Sequence, residues 1–160
     1  MSDNAPHPSP VTILIVDDDA GVRSLLSSAL AGCAGRILEA ADGLEALRVW
    51  EQHLPDLIVT DMRMPGLDGL VLIERILAKA PLTPIIMITG QGDVQTAVEA
   101  MKRGASDCLI KPIQLDSLVA SVERSVEKKR LELELESYRK DLEQMVEQRT
   151  KQLQAATKRV

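Results

Sequence analysis

The sequence predicts a doubly wound α/β fold: five parallel strands in the order 2-1-3-4-5, with helices on both faces. Two observations carry this. Short apolar runs, rich in β-branched residues, recur at 11–16, 57–59, 85–89 and 107–110. Each is too short for a helix and suits a strand buried on both sides. Between them lie stretches with apolar residues at helical spacing. Five strands alternating with five helices give a parallel sheet, and right-handed crossovers leave few topologies for it.

The elements follow in order. Residues 11–16 read as a buried strand ending in Asp17-Asp18-Asp19. A first helix is expected at roughly 20–31, with Val22, Leu25, Leu26 and Ala29 inward and Gly32 and Gly35 at its end. A second short strand spans 36–40. Asp42 and Glu45 form a capping-box-like pair for the second helix, whose apolar side is Leu44, Leu47, Val49 and Trp50. The third strand runs from Leu57 to Asp61. Pro65-Gly66 and Asp68-Gly69 then turn the chain into a helix at roughly 68–79. The fourth strand, 85–89, ends in Thr89, and Asp93 is expected to cap a helix carrying Val94, Ala97, Val98 and Met101 inward. Gly104 closes that helix. The fifth strand, 107–110, leads into Lys111-Pro112 and a helix starting near Gln114, with Leu115, Leu118, Val119, Val122 and Val126 packed on the sheet.

Composition bounds the rest. At 160 residues there is room for one domain and an appendage. With one Trp, one Tyr and no Phe, the core must be aliphatic. No apolar run reaches the length of a membrane span. The first ten residues are polar and Pro-rich, unlike a signal peptide, and are expected to be a disordered lead-in. Cys33 and Cys108 lack metal-binding spacing and suggest packing roles in a reducing, cytoplasmic compartment. Residues 1–120 carry 9 Lys and Arg against 16 Asp and Glu. That acidity argues against nucleic-acid binding by the globular part.

The strand ends are the informative positions. In the order 2-1-3-4-5 the switch point lies between strands 1 and 3, which places Asp17, Asp18 and Asp61 together where ligands bind in open α/β sheets. Thr89 and Lys111 end strands 4 and 5 on the same edge. Any one of these is an ordinary strand end; all of them on one edge point to a site. Clustered carboxylates need a cation, and an all-oxygen set suits Mg²⁺. A metal, an ammonium and a free carboxylate oxygen are what a phosphoryl group requires. Asp61 would be the nucleophile of an aspartyl phosphate.

The stretches Ile13-Leu-Ile-Val-Asp-Asp-Asp, Asp61-Met-Arg-Met-Pro-Gly-Leu-Asp-Gly, Ile88-Thr-Gly and Ala105-Ser-Asp-Cys-Leu-Ile-Lys-Pro112 resemble the receiver domain of two-component response regulators, over about residues 10–125. The resemblance implies a flavodoxin-like receiver at 11–125. By it, Asp61 accepts a phosphoryl group from a sensor histidine kinase or phosphotransfer protein. Asp18, Asp61 and the backbone carbonyl of Arg63 ligate Mg²⁺, and Asp17 acts through water. Thr89 is the switch hydroxyl, Lys111 contacts a phosphoryl oxygen, and the Lys111–Pro112 peptide is cis. The sequence departs from the family at Cys108, where an aromatic residue is usual. Arg63 and Gln91 occupy positions that tune phosphoryl lifetime in the family.

Residues 126–160 form a separate feature. From Ser121 onward there is neither Pro nor Gly, so the fifth helix should continue unbroken. Leu131, Leu135, Tyr138, Leu142 and Met145 follow a heptad seam, continued after a register shift by Val146, Arg149, Leu153, Ala156 and Val160. A lone helix exposing this stripe would be weak, so a parallel coiled-coil homodimer is expected. Such tails in the family lead to an output domain, and the helical pattern runs to the last residue, which suggests a longer protein. Two rival readings remain: a receiver-like interaction module that works without phosphorylation, and a haloacid-dehalogenase-type phosphatase using Asp17 and Asp19.

Overall fold

A computed structural model describes residues 11–157. The expected lead-in, 1–10, and Val160 of the seam lie outside the described residues. The elements are β1 (Thr12–Val16), α1 (Ala20–Leu30), β2 (Arg36–Ala40), α2 (Gly43–His53), β3 (Leu57–Asp61), α3 (Gly69–Lys79), β4 (Ile85–Thr89), α4 (Val94–Lys102), β5 (Asp107–Ile110) and α5 (Leu115–Thr157). The strands form one parallel sheet in the order β2-β1-β3-β4-β5. This is the doubly wound arrangement that the alternating pattern predicts.

The chain divides into two compact units, one through Val126 and one from Glu127. In the first, period-2 side-chain alternation sends one set of strand residues to each face. Leu14, Val16, Ile58, Ile85 and Met87 join Trp50, Leu72, Ile73 and Ile76 on one face. Ile13, Ile15, Leu57, Val59, Ile86 and Ile88 join Leu26, Leu30, Leu118 and Val122 on the other. β3 and β4 are buried at every position. With both faces covered they have no solvent side, which explains their unbroken apolar runs. The edge strands β2 and β5 are more open.

Several inward assignments are corrected. In α1 the buried stripe is Leu26 and Leu30, with Val22 packed alongside, and Leu25 is exposed. In α2, Ala46 and Trp50 are buried and Leu44 is exposed. In α4, Val94, Val98 and Met101 are all exposed, and Ala100 is the buried residue. Each helix has more apolar residues than one stripe can hold. Packing selects the row spaced by four, or in α4 the small residue that lets the helix approach the sheet. Asp93 is also corrected: it occupies the N-cap position of α4 but makes no capping hydrogen bond. Four boundaries move by one residue: Val11, Asp68 and Gln114 precede β1, α3 and α5, and Ala31 follows α1.

The second unit, described to Thr157, is helical. Its polar surface is laced by local ion pairs, among them Arg130–Glu127, Arg139–Glu136 and Lys151–Glu147. Leu131, Leu135, Tyr138, Leu142, Met145, Val146 and Leu153 are exposed on it. No helix among the described residues is long and apolar enough to cross a membrane.

Candidate functional site

The site is built at the carboxyl edge of the sheet, at the β1–β3 switch point. β1 pairs with both β2 and β3, so the chain leaves β1 over a crevice between diverging crossovers. Asp17 follows β1 there, its amide donating to the Ala40 carbonyl at 3.1 Å. Asp61 ends β3 beside it. One carboxylate oxygen from each of Asp17, Asp18 and Asp61 lies within 4.8 Å of the others. Asp17 and Asp61 are buried, while Asp18 is exposed.

The oxygens of this cluster are not equally satisfied. Asp61 Oδ1 accepts from the Met62 amide at 2.8 Å. The Asp61 carbonyl accepts from the buried Thr60 hydroxyl at 3.0 Å, which fixes the backbone beneath the carboxylate. Asp17 Oδ1 accepts from the Asp19 amide at 2.8 Å, but its Oδ2 is buried with no protein partner. Burial pushes the Asp17 carboxyl above its ordinary range. The Asp19 amide opposes this, and the negative charge of Asp61 reinforces it. A buried carboxylate oxygen without a donor, facing two other carboxylates, fits a hard divalent cation.

Lys111 supplies the positive charge on the other side. Its Nζ lies 3.3 Å from Asp61 Oδ1 and 3.4 Å from Oδ2. The Lys111 amide donates to the Thr89 carbonyl at 2.8 Å, and the Lys111–Pro112 peptide is cis. Thr89 is buried at the end of β4, where its hydroxyl receives the Cys108 thiol at 3.9 Å. Burial raises the Cys108 thiol above its usual range; the Thr89 hydroxyl lowers it, more weakly. Arg63 and Gln91 are exposed on the loops after β3 and β4. The Arg63 guanidinium turns to Asp93 at 2.9 Å.

The structure therefore gathers Asp17, Asp18, Asp61 and Lys111 around one point, with Thr89 on the adjoining strand. The seam residues from Leu131 to Leu153 belong to the second unit.

Three residues at the site escape sequence reasoning. Arg23 donates to the Asp17 carbonyl at 2.6 Å and pairs with Glu39 at 3.5 Å, tying β1, α1 and β2 together below the acidic cluster. A lone base one turn into the helix after an acidic strand end is the signal that could have found it. Gly69 is the second. A Cβ there would stand 2.9 Å from the Asp61 carbonyl oxygen, so only glycine lets α3 start this close to the acceptor strand. Asp93, the partner of Arg63, left no signal beyond an expected cap.

Comparison with known proteins places these residues in a family setting. The sequence model of the family described as "Response regulator receiver domain" matches residues 13–123. The chain is similar to the DNA-binding transcriptional regulator NtrC of Escherichia coli K12, with 40% identity over 114 residues, or 71% of this chain and 24% of that protein. It is similar to the C4-dicarboxylate transport transcriptional regulatory protein DctD of Pseudomonas aeruginosa, with 40% identity over 136 residues, or 84% of this chain and 29% of the relative. The chain thus spans less than a third of the length of either regulator. Among solved structures, a response regulator receiver domain protein from Clostridium thermocellum superposes with a TM-score of 0.72 at 30% identity, covering 76% of this chain and 98% of the other.

Proposed function

The chain belongs to the response regulator receiver domain family, and from that premise we propose that it is a phosphorylatable switch with Asp61 as the phospho-acceptor. The observation that carries the reading is the pairing of a buried carboxylate with both an ammonium and two further carboxylates: Asp61 with Lys111 Nζ at 3.3 Å, and with Asp17 and Asp18.

The donor is a phosphohistidine of a sensor kinase or phosphotransfer protein. An Asp61 carboxylate oxygen attacks phosphorus as the N–P bond breaks, and the electron pair stays on the donor's imidazole nitrogen. Lys111 holds one of the three equatorial oxygens and offsets their charge during transfer. The Met62 amide holds Asp61 Oδ1, which directs Oδ2 to the incoming group. Asp17, Asp18, Asp61 and the Arg63 carbonyl would hold Mg²⁺, Asp17 acting through water. The ion would supply charge neutralisation and orientation of the phosphoryl group. The Thr89 hydroxyl bonds the arrived phosphoryl group and so reports its presence. The helix beyond residue 126 dimerises along Leu131, Leu135, Tyr138, Leu142, Met145 and Leu153 and passes the state to an output domain, in the cytoplasm.

Asp19 argues against the phosphatase reading. Its Oδ1 caps α1, accepting from the Gly21 and Val22 amides at 2.8 and 3.2 Å, so the second acid of that motif is already engaged.

Intact mass after incubation with Mg²⁺ and acetyl phosphate tests the proposal. Wild type should gain one phosphoryl group, and Asp61→Asn or added EDTA should abolish the gain. An adduct retained in Asp61→Asn would overturn the assignment. A wild type that takes neither phosphoryl nor beryllofluoride would favour an interaction module that works without phosphorylation.

A further inference from the structure

Four aspartates stand at the N-cap positions of α1 to α4, and one behaves differently. Asp19 accepts from the Gly21 and Val22 amides, Asp42 from Glu45, and Asp68 from Val71. Asp93, at the same position of α4, caps nothing. Its backbone is not extended like the other three (φ −92°, ψ 45°), and its carboxylate instead meets Arg63, whose Nη2 lies 2.9 Å from Asp93 Oδ1. Arg63 stands two residues beyond Asp61 on the β3–α3 loop, and Asp93 closes the β4–α4 loop, so the pair bridges the two loops that flank Thr89 and Asp61.

The two partners hold each other loosely. The Arg63 side chain is 80% exposed and that of Asp93 22%. An ion pair with one member in water is weak and readily exchanged. A phosphoryl group on Asp61 would compete strongly for this guanidinium. It brings close to two negative charges and three acceptor oxygens, which a planar fork of donors matches better than one carboxylate oxygen. The helix that would feel the exchange is weakly anchored. α4 has nine residues, one of them fully buried. The first-turn amides of so short a helix depend on a side-chain acceptor.

We propose that Arg63 is shared between two anions: with Asp61 unmodified it holds Asp93 off the end of α4, and with Asp61 phosphorylated it turns to the phosphoryl oxygens and frees Asp93 to cap α4. This rests on Asp61 being the phospho-acceptor. It makes Arg63 a phosphoryl-contacting residue through its side chain, beyond any use of its carbonyl. It also gives α4, with Val94, Val98 and Met101 exposed, a mechanical response to the charge on Asp61.

The test is amide hydrogen exchange by NMR on the full chain, with and without Mg²⁺ and beryllofluoride as phosphoryl stand-in, and with occupancy read from bound ¹⁹F signals. Gln95 and Thr96 hold the amides that Asp93 would cap. In wild type their exchange should slow about fivefold on loading, the scale of one N-cap bond. In Arg63→Ala and Arg63→Gln the slow exchange should already be present without beryllofluoride. In Asp93→Ala it should appear in neither state, although the fluoride signals remain. Loaded wild type with unchanged Gln95 and Thr96 exchange would overturn the shared-arginine mechanism alone, as would Arg63 variants that match unloaded wild type. A wild type without bound ¹⁹F signals, or with signals that persist in Asp61→Asn, would overturn the phospho-acceptor reading and this inference with it.

Discussion

Asp17 concentrates the electrostatic tension of the site in one side chain. Its Oδ2 is buried without a donor, and Asp61 and Asp18 add repulsion to the cost of burial. In the absence of metal this carboxylate opposes folding, and a bound cation reverses the sign. Asp17→Asn should therefore raise the melting temperature of the metal-free protein by about 3 °C, while cancelling the further rise that wild type shows on adding Mg²⁺. Calorimetry with and without 10-fold-stepped Mg²⁺ reads both effects, and a metal-free melting temperature lowered by the substitution would sink the argument. At Cys108 the packing is of another kind. The thiol gives Thr89 a 3.9 Å contact where an aromatic ring is usual in the family, so Thr89 has a small, weakly polar neighbour. Burial keeps that thiol protonated at neutral pH.

Among the elements, α3 is placed with little tolerance against the acceptor strand. Its first residue, Gly69, donates its amide to the Met62 carbonyl at 3.0 Å, and its missing Cβ leaves room for the Asp61 carbonyl and the Met87 thioether. An added methyl would meet backbone, which cannot rotate away. Gly69→Ala should cost about 1–3 kcal/mol in urea unfolding and lower the yield of the Asp61 adduct, because the shift falls on the acceptor strand. Stability and adduct yield both equal to wild type would show that α3 moves freely against β3. The same helix shows how far pattern reading reaches. Its Leu72, Ile73 and Ile76 stand at helical spacing and are fully buried. In α4 the apolar pattern was equally clear and the outcome opposite, because Ala100 rather than the larger residues meets the sheet.

For the whole molecule, the second unit raises the question of assembly. Its exposed Leu131, Leu135, Tyr138, Leu142 and Met145 recur at heptad spacing, and a helix gains little by showing them to water. Light scattering at tens of micromolar should give the mass of a dimer for wild type, and of a monomer for Leu135→Glu combined with Leu142→Glu, with the Asp61 adduct retained in both. A monomeric wild type would refute the seam. The regulators NtrC and DctD are about three times as long as this chain, since the 114 and 136 matched residues make up 24% and 29% of them.

The amino-acid order alone determined the strand–helix alternation, the sheet order 2-1-3-4-5 and the meeting of Asp17, Asp18, Asp61 and Lys111 on one edge. These follow from periodicity and crossover handedness, which are local rules summed along the chain. Tertiary structure alone decided which stripe of each helix faces inward, since Leu25, Leu44, Val94, Val98 and Met101 have the right spacing and lose to better-fitting neighbours. It alone also placed Arg23 beneath Asp17, left Asp17 Oδ2 without a donor, and turned Asp93 from α4 to Arg63. The last joins loops 30 residues apart, and in all three competing partners are ranked by geometry that no sequence period encodes.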